Sequence, residues 1–158
     1  LMHRYEFLWR FHKVHHSVKE MGFSAHLRYH WMENILYKPL KVFALMLLGG
    51  FQPEQAFIIH FFAIGLGHLN HANIKLNYGP LKYIFNNPIM HLYHHAYTLP
   101  ENFKNGVNFA ISLSVWDYLF GTNFIPKADE NIKLGYADDH KMPASFWGQL
   151  FYGFRPKD

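Results

Sequence analysis

Two histidine triplets of identical spacing are the residues of this 158-residue chain best suited to chemistry. The first reads HKVHH from His12 to His16, and the second reads HLYHH from His91 to His95. On a helix, positions i, i+3 and i+4 share one face, so the three imidazoles of a triplet can converge on one small volume. Imidazole is a ligand for zinc, copper, iron and nickel. Since two triplets offer more nitrogens than one tetrahedral ion needs, the pattern predicts a site for two metal ions.

The composition limits which other chemistry is available. The chain has no cysteine, which excludes disulfides, thiolate ligands and cysteine nucleophiles, so a bound metal would be held by nitrogen and oxygen. The formal net charge of +4 is spread over the sequence without a basic run. Such a balance fits contact with anionic lipid head groups better than a nucleic-acid-binding stripe, and we expect no nucleic acid partner.

The chain is apolar for a domain of its size. Half of the residues are hydrophobic and 16% are charged, against about 25% charged residues in typical soluble domains. The length fits a single domain over residues 1–158. No signal peptide is apparent, and the first residue is Leu1 rather than methionine. We therefore interpret the sequence as a piece of a longer protein.

The helix that carries the first triplet must also position His3. Residues 2–17 mix apolar and basic side chains in the manner of an amphipathic helix at a membrane surface. His3 lies nine positions before His12, which is about 180° around a continuous helix. His3 can join the same site only if the helix breaks between the two residues, and we predict such a break.

The strongest membrane signal lies between the two triplets. Residues 42–51 include no polar side chain, and residues 56–67 include only His60. Between the two runs, Pro53 is well placed to begin a second helix after a glycine pair. The sequence therefore predicts a hairpin of two apolar helices.

The predicted helices of this hairpin are Leu36–Gly50 and Pro53–His71. They would be about 22 and 28 Å long, against about 30 Å of bilayer hydrocarbon. We predict an all-α fold in which an integral membrane hairpin dips into or just crosses the bilayer, beneath a histidine-rich extramembrane helical cap. A buried hairpin in a soluble all-α core is the alternative.

The second helix of the hairpin presents two histidines on one face. His60, Gly67 and His71 share this face, but His60 and His71 are about 16 Å apart along the axis. Only one of them can reach a given metal pair, and we place His71 at the metal site. The face of His60 is expected to line a path for an apolar substrate, with Gly67 giving it room.

These motifs resemble the fatty acid hydroxylase/sterol desaturase superfamily, the integral-membrane di-iron oxygenases. The matching segments are LWRFHKVHHS at residues 8–17, RYHWME at 28–33, HAN at 71–73, NPIMHLYHH at 87–95, NFA at 108–110 and LSVWDYLFGT at 113–122. The family's first box, H-x-x-x-H, would begin just before Leu1 and have His3 as its second histidine. We therefore expect the rest of that box, and further membrane helices, upstream of this sequence.

The resemblance implies two iron ions, with zinc as a possible substitute, held mainly by neutral imidazoles. The ligands that it implies are His3, His12, His15, His16, His71, His91, His94 and His95. Weaker candidates near the site are His30, Glu33 and His68. Asp117 is expected to orient a ligand by accepting its second N–H. No catalytic residue beyond the ligands is expected.

The implied reaction is the O₂-dependent hydroxylation or desaturation of a C–H bond in a lipid or sterol. No haem or flavin motif is visible, so the electrons would come from a separate cytochrome b5-like or ferredoxin-like donor. The expected location is the endoplasmic reticulum membrane of a eukaryote or the inner membrane of a bacterium, with the active site on the cytoplasmic side. Two alternatives remain open: a zinc-dependent membrane hydrolase, and a non-catalytic metal-binding remnant of the oxygenase.

Overall fold

The computed structural model describes residues 1–126 and 131–154. Within these ranges the secondary structure is helical and no strand is formed, which confirms the all-α class. The helices are α1 Glu6–His16, α2 Phe23–Leu27, α3 Met32–Leu36, α4 Lys38–Gly49, α5 Pro53–Asn70, α6 Pro88–His94, α7 Val115–Phe120 and α8 Phe146–Leu150. Short 3₁₀ helices cover Gly79–Tyr83 and Asp139–Lys141.

Helix α1 carries the first triplet and begins after His3. Tyr5 is extended, with φ −98° and ψ 118°, and the helix starts at Glu6, whose negative charge suits the first turn. Lys13 and the last two histidines of the triplet occupy the final turn. The predicted break therefore lies between His3 and Glu6, and it lets the His3 ring approach that of His12 to 5.0 Å between centroids.

The hairpin forms from α4 and α5, which pack against each other. Helix α4 begins at Lys38 instead of Leu36, because Tyr37 leaves helical geometry and separates it from α3. The turn uses Gly50 in the left-handed region, at φ +68°. Pro53 begins α5, as predicted, and the preceding Gln52 forms a reciprocal capping box with Gln55.

Much of the apolar surface of this hairpin is exposed. Leu47 and Leu48 on α4 are 80% and 88% exposed, and Phe57, Phe61 and Phe62 on α5 are 66–68% exposed. No helix in the described ranges combines the length and apolar character needed to cross a bilayer. The predicted hairpin is thus present as α4 and α5.

The centre of the molecule is polar. The purely hydrophobic cluster is small and consists of Val18, Met21, Ala25 and Leu134. Asparagines and histidines fill much of the remaining interior, and Asn70, Asn108 and His95 are fully buried. Since buried polar groups require partners, this interior must be organised by hydrogen bonds or by a ligand.

Helix α6, which carries the second triplet, is fixed within this polar interior. Asn87 caps its first turn by accepting the backbone N–H of Met90 at 3.0 Å, and Pro88 occupies the first helical position. The side chain of Asn108 donates to the carbonyl of Met90 at 2.9 Å and to that of Phe124 at 2.8 Å. The cap and the asparagine together place α6 against α5.

Candidate metal centre

Eight histidine side chains meet in the interior as two groups of four. Within each group, one nitrogen from every ring lies within 4.8 Å of the others. The first histidine group consists of His3, His12, His16 and His94, and the second of His15, His71, His91 and His95. The two groups adjoin, because the rings of His16 and His95 stack at 4.2 Å between centroids. Together they contain the eight residues expected as ligands.

The two triplets exchange members between the groups. Helix α1 gives His12 and His16 to the first group and His15 to the second, while α6 gives His91 and His95 to the second and His94 to the first. Helical geometry allows this, since the histidines at i and i+4 lie about 40° apart around the helix and the middle histidine is displaced to one side of that pair. Each group therefore requires both helices.

Backbone carbonyls fix the tautomers in the second group. A carbonyl can only accept, so Nδ1–H of His71 donates to the Gly67 carbonyl at 2.6 Å and Nδ1–H of His15 donates to the Arg28 carbonyl at 2.9 Å. In the neutral rings, Nε2 then carries a lone pair. The Nε2 atoms of His71 and His15 are 3.1 Å apart, and Nε2 of His91 is also 3.1 Å from that of His71.

In the first group, a backbone carbonyl fixes the tautomer of one histidine, His94. Nδ1–H of His94 donates to the Val107 carbonyl at 2.8 Å, which leaves its Nε2 as an acceptor. Nε2 of His3 and Nε2 of His16 are buried without a hydrogen-bond partner among the described residues. In the second group both nitrogens of His95 are buried in the same way. Buried polar nitrogens without a partner are costly, and a cation bound by the lone pairs would remove part of that cost.

Burial favours the neutral form of six of these imidazoles. Removal from water, followed by repulsion from neighbouring histidines, lowers the pKa well below 6.5 for His3, His15, His16, His91 and His95. The pKa of His94 falls to about 4, mainly through burial. At neutral pH the lone pairs are available for coordination.

The segment from Arg28 to Glu33 supports the centre from one side. The Arg28 guanidinium donates to the Val14 carbonyl at 3.1 Å and to the Ser17 hydroxyl at 2.9 Å, and so caps the C-terminal end of α1. Glu33 is 4% exposed, and its Oε1 lies 3.3 Å from Nδ1 of His12. Glu33 thus lies beside the first group, where the sequence had suggested it.

His30 is bound elsewhere, and its proximity to the metals was a wrong expectation. Its Nε2–H donates to the carbonyl of Leu150 at 2.8 Å, and its Nδ1 accepts the backbone N–H of Met32 at 3.1 Å. Both ring nitrogens are therefore used, and neither is free for a metal. His30 attaches the end of α8 to the start of α3.

Asp117 does not orient a histidine, contrary to the expectation from the sequence. Its Oδ1 accepts the backbone N–H of Phe109 at 2.8 Å and the hydroxyl of Thr122 at 2.6 Å, and its Oδ2 accepts the backbone N–H of Ala110 at 3.0 Å. The carboxylate accepts from these three donors, and no histidine in the described part of the chain donates to it. It holds the loop that follows Val107, the residue whose carbonyl orients His94.

His68 lies outside both groups, next to a histidine that the sequence reasoning missed. The His68 ring stacks on Phe23 at 4.4 Å and meets the edge of His26 at 4.3 Å. His26 in turn stacks on His71 at 4.7 Å. Burial is the main cause that lowers the pKa of His26 to about 3. A single histidine on a short helix carries no spacing signal, which is why His26 was not a candidate.

The room at Gly67 is filled by this ring, not by a substrate path. A Cβ atom at Gly67 would lie 2.6 Å from Cε1 and 2.7 Å from Nε2 of His26. The absence of a side chain at position 67 therefore lets α2 approach α5 and brings His26 against His71. The expected role of Gly67 in a substrate path is wrong for this reason.

A cavity of about 370 Å³ adjoins both histidine groups. His60, which was expected to line a substrate path, lines this cavity together with Ile64, one turn further along α5. Histidines of both groups also face it: His3, His12, His15, His71, His91 and His94. A molecule in this cavity would touch the imidazoles directly.

The described part of the chain is helical and is built around two adjoining groups of four histidines, six of them buried, which are the features of a histidine-rich metalloprotein. The family follows from comparison: the chain belongs to the fatty acid hydroxylase family, whose profile matches residues 1–122. This finding confirms the family inferred from the motifs. No solved structure matched the chain.

The similar curated proteins are lipid oxygenases by name. Ornithine lipid hydroxylase OlsE of Rhizobium tropici is 32% identical over 157 residues, which cover 99% of this chain and 46% of the relative. Alkylglycerol monooxygenase of Danio rerio is 32% identical over 138 residues, with 82% and 28% covered, and that of Homo sapiens is 28% identical over 147 residues, with 90% and 30% covered. The chain spans less than half the length of these relatives.

Proposed function

We propose that this chain forms the metal centre of a membrane-bound, di-iron, O₂-dependent oxygenase that hydroxylates a C–H bond of a lipid. The observation that carries the proposal is the pair of adjoining histidine groups, each with four imidazole nitrogens within 4.8 Å of one another. The relatives are named hydroxylase and monooxygenase, which favours hydroxylation over desaturation.

The donor atoms fit a metal in each group. Separations of 3.1 Å between Nε2 atoms suit nitrogens that each lie about 2.0–2.1 Å from a shared ion. The facing lone pairs of His15 and His71 would repel each other without a cation. Their Nδ1–H groups are held by carbonyls, which is the usual arrangement around ligating histidines. Imidazole nitrogens are suitable ligands for iron, and zinc is a possible substitute.

A bound iron pair would supply the reduction of O₂ by two electrons and the oxidation of an unactivated C–H bond. The chain itself would hold the metal ions, orient the imidazoles and shape the cavity for the substrate. The carbonyls of Gly67, Arg28 and Val107 keep three of the imidazoles in one tautomer. Ile64 and Phe109 provide apolar cavity wall, which limits water next to the reacting carbon. The electrons would come from a cytochrome b5-like or ferredoxin-like protein.

The α4–α5 hairpin would insert its apolar surface into the lipid. The large side chains at its turn and along its outer faces are more than half exposed, including Leu47, Leu48, Phe57 and Phe61. Exposed apolar surface of this extent is typical of an interaction site. A surface of Leu, Phe and Ile side chains is suited to contact with the acyl chains of a lipid bilayer. The histidine groups would then lie at the cytoplasmic face of an endoplasmic reticulum or bacterial inner membrane.

The test is metal analysis combined with turnover of the full-length protein purified from membranes. We expect two iron ions per chain and a hydroxylated lipid that forms only with O₂ and a reductant. Zinc with turnover that needs no reductant would instead indicate a hydrolase. Bound metal with no turnover under any of these conditions would indicate a non-catalytic protein.

A further inference from the structure

Two lysines of α4 face the cavity that adjoins the histidine groups. Lys38 and Lys41 are spaced i, i+3, which places them on one side of the helix, and both line the cavity. Nζ of Lys38 lies 3.3 Å above the ring of Tyr29. Both ammonium groups are within electrostatic reach of His60, and Lys38 also of His26. The cavity therefore joins a pair of cations to the candidate metal centre.

The positive charge of these lysines is not balanced within the described part of the chain. Neither lysine forms an ion pair there. Glu33 is the one carboxylate among the described lining residues, and it is next to His12. Two ammonium groups within reach of each other favour a bound anion, because an opposite charge removes their mutual repulsion.

The rest of the cavity wall is partly apolar. Leu27, Ala63, Ile64 and Ile111 line it beside the polar groups. Its volume of about 370 Å³ is at the lower end of the roughly 300–1,000 Å³ range of small-molecule sites. A membrane lipid with two long chains would not fit inside. Its head group and the adjoining carbon atoms would fit, with the chains running out along the exposed side of α5.

We propose that the cavity binds an amphiphilic lipid by its acidic head group, a phosphate or a carboxylate, on Lys38 and Lys41. The inference rests on the proposed function and names the substrate class of that site. Because the lysines and the histidine groups share one small cavity, the carbon that is oxidised belongs to the head group or to the part of the chain next to it.

The test measures binding and requires no turnover. Full-length protein in a non-ionic detergent is titrated calorimetrically with dodecyl phosphate and, as the neutral comparator, with 1-dodecylglycerol. We expect dodecyl phosphate to bind at least about ten-fold more tightly, and Lys38→Gln or Lys41→Gln to weaken it by about ten-fold. Affinity for 1-dodecylglycerol should not change. Equal affinity for the two probes in the unmodified protein would overturn the proposal.

Two matched variants separate charge from folding. Lys104→Gln removes the same charge from an exposed loop residue outside the cavity and should leave dodecyl phosphate binding unchanged. Lys41→Arg keeps the charge and should retain most of the affinity. If Lys38→Gln and Lys41→Gln weaken both probes equally, the lysines are structural and the proposal fails.

Sodium phosphate distinguishes a lipid head group from a free anion. It should displace dodecyl phosphate only at far higher concentration, since the cavity also binds the carbon chain. Displacement at similar concentrations would identify a free-phosphate site and overturn the lipid assignment.

Head-group binding without any oxygenase activity would refute the proposed function alone. Oxygenase activity with equal binding of both probes would refute this inference alone.

Discussion

Oε1 of Glu33 lies 3.3 Å from Nδ1 of His12, so a buried carboxylate contacts the ring that begins the first triplet. The two atoms do not meet the geometry of a hydrogen bond, so the contact is electrostatic: a proton on Nδ1 would face the carboxylate and leave Nε2 free to bind a metal. The two residues come from different helices, α1 and α3, which pack against each other. The packing of α3 thus bears directly on the first histidine group.

Glu33→Gln should lower the metal affinity of the first group by about 10- to 100-fold, the usual effect of losing a residue that orients a ligand. The amide keeps the shape of the side chain but is a weaker acceptor. Metal retained after dialysis against graded chelator measures the effect. Glu20→Gln, at an exposed carboxylate, is the control. Unchanged retention in Glu33→Gln would show that the contact does not orient His12.

His91→Ala should reduce the bound metal from two ions to at most one per chain and abolish turnover. The substitution removes one of four nitrogens from the second group and leaves the four of the first in place. Elemental analysis of the purified protein gives the stoichiometry. His140→Ala removes an exposed histidine and should keep both ions. Two ions in His91→Ala would contradict the assignment of His91 as a ligand.

Gly67→Ala should destabilise the protein by about 1–3 kcal/mol, as overpacking of an interior does. The new Cβ would approach Cε1 of His26 to 2.6 Å. Gly65→Ala on the same helix has nothing within 4 Å of its Cβ and should instead stabilise by about 0.5–1 kcal/mol. Thermal unfolding compares the two. In the double variant with His26→Ala, the loss of stability caused by Gly67→Ala should largely disappear. If that loss persists, it does not come from a clash with His26.

The metal-free chain should lose stability as the pH falls from about 6.5 towards 4. The folded state lowers the pKa of His94 from 6.5 to about 4. Between these values the unfolded chain binds more protons than the folded one, so acid favours unfolding, and stability is retained above pH 6.5. Chemical denaturation at pH 7, 6 and 5 with chelator measures this slope. A flat profile would mean that folding does not lower the pKa of His94.

Leu48→Glu and Phe61→Glu should weaken attachment of the protein to lipid vesicles, because each places a charge on the exposed hairpin surface. Co-flotation with phosphatidylcholine vesicles measures the attachment. Glu101→Gln alters an exposed charge in a loop and should have no effect. If neither hairpin variant reduces flotation, the hairpin is not the part that binds lipid.

The sequence predicted the helical class and the shared side of the histidines within each triplet, because both depend on local periodicity. H-x-x-H-H places its histidines on one side of any helix, and Pro53 begins a helix in the structure as it does in the pattern. The exchange of His15 and His94 between the groups needed the relative position of α1 and α6. That position is set by packing and is not a property of either segment alone.

The errors arose where backbone groups compete for a side chain. Asp117 was expected to accept from an imidazole, but it accepts from three donors of its own loop and turn. His30 was taken by the Leu150 carbonyl, from a part of the chain far away in sequence. His26 was missed because its position depends on the missing side chain of Gly67. None of these partners has a periodic signature.

The exchanged middle histidines have a consequence for assembly. An ion in either group would take donors from α1 and from α6 at once, and so would cross-link the early and late parts of the polypeptide. The first ion to bind would align the donors that await the second, which is positive cooperativity between the two sites. Metal uptake would then tend to be all-or-none, and removal of one ion would lower the affinity for the other.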